Sequence, residues 1–171
     1  MDSAALLEDA FGRIREVVVG AVEGLEPDQL AHRVDLDANT IAWLVWHLTR
    51  IQDDHVADVA GRPQVWTSQG WCERFGLPFA EGDIGYGHTS DEVASVRVDA
   101  AQLLDYHAAV HDLCLDFVRT VTADDLDRVV DERWDPPVTL GVRLVSVLGD
   151  AFQHAGQAAF LRGIVTRRTD G

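Results

Sequence analysis

The sequence contains no lysine: its 14 basic residues are all arginine, and they are outnumbered by 29 aspartate and glutamate residues. The formal net charge is therefore −15 at pH 7. A surface with this charge repels the phosphates of nucleic acids and anionic membrane surfaces at long range. We therefore expect neither a nucleic-acid nor a membrane partner.

Long apolar runs are also missing. No stretch approaches the roughly 20 apolar residues that cross a bilayer. The first residues, Met1-Asp2-Ser3, lack the positively charged region that begins a secretory signal. These absences predict a cytoplasmic protein. A chain of 171 residues lies in the usual size range of one domain, so residues 1–171 are predicted to form a single domain.

Cysteine is scarce, and Cys72 and Cys114 are far apart. They form no CxxC pair, so neither a disulfide framework nor a thiolate zinc site is indicated. Cys114 falls in an apolar stripe, and Cys72 has no cationic neighbourhood in the sequence, so we predict no cysteine nucleophile. Gly-rich phosphate loops, the GxSxG elbow and the HExxH helix are missing as well. Any metal must therefore be held by histidine and carboxylate.

Helical periodicity is what the sequence does have. Apolar residues recur at i, i+3, i+4 and i+7 in four segments. The predicted helices cover about residues 3–25 with Ser3 as cap, residues 40–60 with Asn39 as cap, a segment from just after Ser90 to about residue 121, and a segment from near Thr139 past Leu161. Almost thirty residues connect the second and third segments, against the 2–8 usual in bundles. The pattern predicts an all-α fold, a four-helix bundle with a long crossover between helices two and three.

Three side chains on two of these helices are candidate metal ligands. Asp150 and His154 are four residues apart, so at ~100° per residue they project from the same side of the fourth helix. His47 lies on the core-facing side of the second helix, where a polar ring needs a partner. Bundles build metal sites from ligands on facing helices. Imidazole and carboxylate suit Zn²⁺, Ni²⁺ or Fe²⁺, and three protein ligands leave a coordination position open.

Other residues have competing interpretations. His107 and His111 form a second i, i+4 pair on the third helix, but at the edge of its stripe, which favours partly exposed polar residues over ligands. His55 points toward the core and is either an acid/base or ligand-supporting group or simply a histidine held by a neighbouring aspartate. Trp71 and the other aromatic residues of the long connection either line a pocket over the metal or pin the connection to the bundle.

Two segments resemble a known superfamily. Trp-Leu-Val-Trp-His-Leu at residues 43–48 and Asp-Ala-Phe-Gln-His-Ala-Gly-Gln at residues 150–157 are similar to the DinB-like superfamily. The strongest resemblance is to its branch related to the N-terminal domain of mycothiol-dependent maleylpyruvate isomerase. The similarity extends over nearly the whole chain, including residues 66–78 and the Gly-Tyr-Gly-His-Thr turn at residues 85–89.

The resemblance implies a metal held by one histidine of the second helix and a His-or-Glu-x-x-x-His pair of the last helix. These positions match His47, Asp150 and His154, although Asp150 is one methylene shorter than the glutamate of the isomerase-like members. His88 and Gln157 lie in the matching segments and join His55 and Trp71 as candidates for supporting the ligands or lining the pocket. Zinc is the expected metal, with nickel or iron as alternatives.

The resemblance also implies an activity. Members use a low-molecular-weight thiol, mycothiol or bacillithiol, and the arginine-only composition, typical of GC-rich genomes, favours mycothiol. The leading hypothesis is a divalent-metal-dependent thiol S-transferase or isomerase that acts on a small electrophile and forms a homodimer. The alternatives are a non-catalytic metal-binding or stress-related bundle protein and a structural dimerisation module without metal.

Overall fold

The computed structural model describes residues 2–168. In chain order its elements are α1 (Ser3–Val22), α2 (Pro27–Leu30), α3 (Ile41–Ala60), α4 (Val65–Ser68), α5 (Trp71–Phe75), α6 (Ser90–Ser95), α7 (Ala100–Val118), a 3-10 turn (Asp124–Asp127), the short antiparallel strands β1 (Val129–Asp131) and β2 (Val138–Thr139), and α8 (Leu140–Arg168). The long helices α1 and α3 each pack against both α7 and α8, so α1 and α3 occupy opposite corners of the bundle. The all-α four-helix bundle is thus confirmed.

The apolar stripes of the long helices meet in the core. Their largest fully buried members include Phe11 and Ile14 of α1, Leu44 and Leu48 of α3, and Leu103 of α7. Burying each such side chain contributes roughly 1.5–3 kcal/mol. Within residues 2–168, no helix is both long and apolar enough to span a membrane.

Two helix caps differ by one residue from the prediction. Asp2, not Ser3, caps α1, because its Oδ1 accepts a hydrogen bond from the Ala5 N–H at 2.9 Å. Thr40, not Asn39, caps α3, with Oγ1 accepting from the Trp43 N–H at 3.0 Å. Both caps satisfy backbone donors that the first helical turn leaves free.

The prediction of one continuous third helix was wrong, because the segment forms two helices. Thr89 and Glu92 make a reciprocal capping box at the start of α6, which ends at Ser95 with Val96 as its C-cap. Asp99 then caps α7 by accepting from the Gln102 N–H at 2.7 Å. Val96, which follows the last residue of α6, is fully buried. The predicted helix is therefore interrupted by the N-cap of α7, although the segment contains no glycine or proline.

His107 and His111 are buried, which corrects their assignment as partly exposed residues. Their exposed fractions are 1% and 4%. Since α7 packs against both α1 and α3, its buried sector is wider than one apolar stripe. His107 Nδ1 lies 3.1 Å from Thr49 Oγ1, and burial lowers the pKa of His107 to about 3.

Asp53 holds the long connection against the bundle. Its carboxylate is fully buried and accepts hydrogen bonds from the N–H groups of Val65 and Trp66, at 2.8 and 2.7 Å, and from the Tyr106 hydroxyl at 2.9 Å. Arg50 donates to the Asp83 carbonyl at 3.2 Å, farther along the connection. These contacts fix both ends of the segment that covers α3.

Candidate metal centre

The structure brings His47, Asp150 and His154 together where α3 faces α8. Nε2 of His47 lies 3.8 Å from Oδ1 of Asp150, and Nε2 of His154 lies 3.7 Å from the same oxygen. One donor atom from each residue falls within 4.8 Å of the other two. Among the residues that the structure describes, His47, Asp150 and His154 form the one group of at least three possible donors that are close enough to hold an ion. The three residues thus lie as expected, and their role as metal ligands stays a prediction.

The spacing of the donor atoms suits a divalent ion. Bonds of ~2.0–2.1 Å in a tetrahedral site separate neighbouring donor atoms by roughly 3.3 Å. The two contacts to Oδ1 of Asp150, at 3.8 and 3.7 Å, exceed this separation by about half an ångström, and all three donor atoms lie within 4.8 Å of one another. Oδ2 of Asp150 is buried and has no hydrogen-bond partner among residues 2–168. A buried carboxylate oxygen without a donor is costly unless a cation compensates it.

Both imidazoles are held by Nδ1, which leaves Nε2 for coordination. His47 Nδ1 donates to the carbonyl oxygen of Ile84, and His154 Nδ1 donates to Oε1 of Gln157 at 2.9 Å. Such contacts fix the tautomer and ring orientation of metal-binding histidines. Burial lowers the pKa of His47, and the hydrogen bond to Ile84 and the charge of Asp150 partly oppose the shift. The net effect favours the neutral ring, the form that binds metals.

A glycine turn presses the connection against His47. Gly85 has a φ of +94°, and a Cβ there would lie 2.7 Å from His47 Nδ1 and 3.1 Å from Cζ3 of Trp46. The Asp83 carboxylate accepts from the Gly85 N–H at 2.7 Å. Only glycine allows this backbone conformation and this approach together. Because the turn approaches so closely, the Ile84 carbonyl can accept a hydrogen bond from the His47 imidazole. The sequence analysis did not predict this contact.

His88, one of the candidates, supports His47 through Trp43. The Trp43 ring stacks on the His47 imidazole, with centroids 4.7 Å apart and 13° between the planes. Trp43 Nε1 donates to Nδ1 of His88 at 3.1 Å, and His88 Nε2 lies 3.1 Å from both oxygens of Asp83. The chain Asp83–His88–Trp43 therefore sets the position of the ring that covers His47. Sequence reasoning missed Trp43, although it lies one helical turn before His47.

His55 lies two helical turns after His47 on α3. Its Nδ1 is 3.2 Å from Nη1 of Arg143 and 3.4 Å from Oδ2 of Asp54. Because His55 meets an early residue of α8 while His47 meets later ones, the two helices run antiparallel. His55 lines a cleft of about 460 Å³ together with Tyr86. Tyr86 links this cleft to the centre, since its ring stands edge-on to His47 at 5.6 Å.

Trp71 and Gln157 occupy different surroundings. Trp71 is buried against Phe75 and Tyr106, with ring centroids 6.4 and 5.6 Å away, so it helps to anchor the connection in the core. Gln157 contacts His154 directly. The structure therefore brings Gln157 to the candidate ligands and places Trp71 in an aromatic cluster of the core.

The fold and this site define a DinB-like bundle with a His-Asp-His group between its α3 and α8 helices. Residues 6–167 match the family model described as Mycothiol-S-transferase, and the chain belongs to this family. It is also similar to a crystal structure described as a conserved protein from Enterococcus faecalis, with 30% sequence identity and a TM-score of 0.89 over 97% of this chain and 98% of that chain. None of the curated proteins matches. The resemblance to the DinB-like superfamily is thus confirmed.

Proposed function

We propose that this chain is a divalent-metal-dependent thiol S-transferase that joins a low-molecular-weight thiol, mycothiol first among them, to a small electrophile. The observation that carries the proposal is the convergence of two imidazole Nε2 atoms on Asp150, at 3.8 and 3.7 Å, beside a carboxylate oxygen that has no partner in residues 2–168. The family description supports the choice of thiol.

In this proposal His47, Asp150 and His154 hold the ion, with zinc as the first choice and nickel or iron as alternatives. The ion supplies positive charge that lowers the pKa of a coordinated thiol toward neutrality. The Ile84 carbonyl and Gln157 orient the two imidazoles. Three protein ligands would leave a coordination position open for the thiol.

The reaction needs no oxidant or reductant. The thiol gives its proton to solvent, and a sulfur lone pair forms a bond to the electrophilic carbon. The leaving group departs with the electron pair of the broken bond, so the products are a thioether and the released anion. An isomerase would use the same centre, with the thiol adding to the substrate and later leaving it.

Metal content tests the ligand set. Protein purified without a metal-binding tag should contain close to one equivalent of metal, and His154→Ala and Asp150→Asn should lose it. Asp105→Asn is the matched control, because Asp105 is an exposed carboxylate on α7 and its replacement changes the charge equally. Equal metal content in wild type and His154→Ala would overturn the assignment. Failure of the wild type to bind metal after reconstitution would favour the structural dimerisation alternative.

A spectroscopic titration tests the thiol. Co²⁺-substituted protein should develop a thiolate-to-metal charge-transfer band with mycothiol, because sulfur enters the coordination shell. The band should be absent in His47→Ala. Conjugation of the thiol to chlorodinitrobenzene should require the metal. If mycothiol, bacillithiol, glutathione and cysteine all leave the cobalt spectrum unchanged, thiol transfer is wrong and the non-catalytic metal-binding alternative stands.

A further inference from the structure

A groove of about 650 Å³ lies beside the candidate metal centre, between α8 and the segment of residues 34–39 that leads into α3. It reaches the centre through Gln157, which lines the groove and accepts a hydrogen bond from His154 at 2.9 Å. Leu44, one helical turn before His47, borders the groove from α3, although its side chain is almost fully buried. A molecule in the groove would therefore lie along α8, which carries Asp150 and His154, and against the chain that leads into α3.

The lining of the groove is apolar or uncharged apart from Asp37. Val34 and Phe160 contribute exposed apolar surface, at 47% and 70% exposure, and the buried Leu44 and Leu161 border the groove as well. The polar lining residues are amides, except for Asp37, the one charged residue that lines the groove in the described part of the chain. The volume falls within the ~300–1,000 Å³ typical of small-molecule sites, which combine apolar walls with a few polar groups.

A second cleft beside the centre has different chemistry. The cleft that contains Tyr86 is lined by Arg133 and Arg143, which could suit an anionic ligand. Both arginines already bind Asp131, at 2.8 and 3.1 Å. An anion there would have to compete with this carboxylate, which weakens the case for that cleft.

We propose that this groove between α8 and residues 34–39 binds the electrophile, and that its substrates are uncharged, apolar or aromatic molecules without a carboxylate. This inference rests on the proposed function and adds the substrate class. Asp37 at the groove and the net charge of −15 both disfavour anionic substrates. In the reaction, the thiol sulfur bonds to the carbon that loses chloride or another leaving group.

Gly156 provides a way to block the groove without disturbing the core. It lies on an exposed position of α8 within the groove, and an added Cβ would meet no atom within 4 Å. Leucine there should fill the groove, and it also favours the helix more than glycine does. Gly20 of α1 is the matched control, since it is exposed, helical and equally open.

The experiment measures binding as well as turnover. Calorimetry with unreactive 1,3-dinitrobenzene should show at least tenfold weaker binding to Gly156→Leu and unchanged binding to Gly20→Leu, with an intermediate effect of Gly156→Ala. In wild type, kcat/KM should be at least tenfold higher for chlorodinitrobenzene than for 4-chloro-3,5-dinitrobenzoate. Melting temperature, metal content and the cobalt–thiol band should persist in Gly156→Leu.

Several outcomes would overturn the inference. Unchanged dinitrobenzene binding in Gly156→Leu, or a preference for the benzoate, would exclude the groove or the substrate class. Loss of the cobalt–thiol band in that variant would place the thiol in the groove instead. A change of oligomeric state in light scattering would assign the groove to a second copy of the chain. If the wild-type protein binds no metal, the proposed function is wrong. The binding of dinitrobenzene would still test the groove in that case.

Discussion

Gly85 lies so close to His47 that alanine has no room at this position. A Cβ would be 2.7 Å from Nδ1 of the imidazole, whereas ordinary contacts are roughly 3.5–4.0 Å. The turn would have to move away by about 1 Å, and a φ of +94° adds about 1–2 kcal/mol for any residue with a Cβ. Movement of the turn would also break the hydrogen bond from His47 to the Ile84 carbonyl, worth about 1 kcal/mol.

These costs add up to a loss of about 2–3 kcal/mol in the free energy of unfolding for Gly85→Ala. The dissociation constant for zinc should rise by about 10–100-fold, because His47 loses the partner that orients it. Urea unfolding in the presence of EDTA measures the first quantity, and competition with a chromogenic chelator measures the second.

Gly87→Ala is the control, because Gly87 has a φ of +72° in the same turn but open space around an added Cβ. It should lose only the conformational term of about 1–2 kcal/mol and keep its zinc affinity. Equal effects of the two substitutions on stability and on zinc affinity would refute the reasoning, since the contact with His47 would then contribute nothing.

Further substitutions test the surroundings of the site and the core. Trp43→Phe keeps a ring on His47 but removes the donor to His88, so zinc affinity in the chelator assay should fall roughly tenfold; unchanged affinity would mean that the Asp83–His88–Trp43 chain does not support the ligand. Tyr106→Phe removes a hydrogen bond to buried Asp53 and should lower the free energy of urea unfolding by about 1–3 kcal/mol, with metal content unchanged. Burial lowers the pKa of His107 to about 3. As the pH falls through about 6.5, this residue is therefore protonated in the unfolded chain but stays neutral in the native state. Through this residue stability should fall by about 2 kcal/mol between pH 7 and pH 5, and His107→Leu should flatten the unfolding profile over that range in EDTA; an unchanged slope would contradict the burial argument.

The apolar periodicity of the sequence predicted the features that are determined within a single helix. The long helices follow from their apolar stripes, and the convergence of Asp150 and His154 follows from their four-residue spacing. His47 could be assigned to the same site because a core-facing imidazole needs a partner on a facing helix. These arguments use only the 3.6-residue repeat and the need to satisfy buried polar groups.

Features that depend on several elements escaped the sequence analysis. The burial of His107 and His111 arises because α7 contacts two helices, α1 and α3, so one stripe does not define its buried side. Short helices such as α4 and α5 have too few residues for a periodic pattern. The approach of Gly85 to His47 brings together residues 38 positions apart. The glycines on either side of Tyr86 indicate a turn in the sequence, but they do not indicate which residue the turn contacts.

Asp150 shows how packing and ligand choice depend on each other. The resemblance implies a longer glutamate or a histidine at this position, yet Oδ1 of the shorter aspartate lies almost midway between the two imidazoles, at 3.8 and 3.7 Å. Ala151, Ala155 and Ala158 of α8 are fully buried. Small side chains at these spacings let a helix approach its neighbours closely, because the interaxial distance depends on the side chains at the contact. The three buried alanines therefore offer a physical reason why the shorter aspartate suffices here, since a bulkier helix face would hold α8 farther from its neighbours and require a longer side chain.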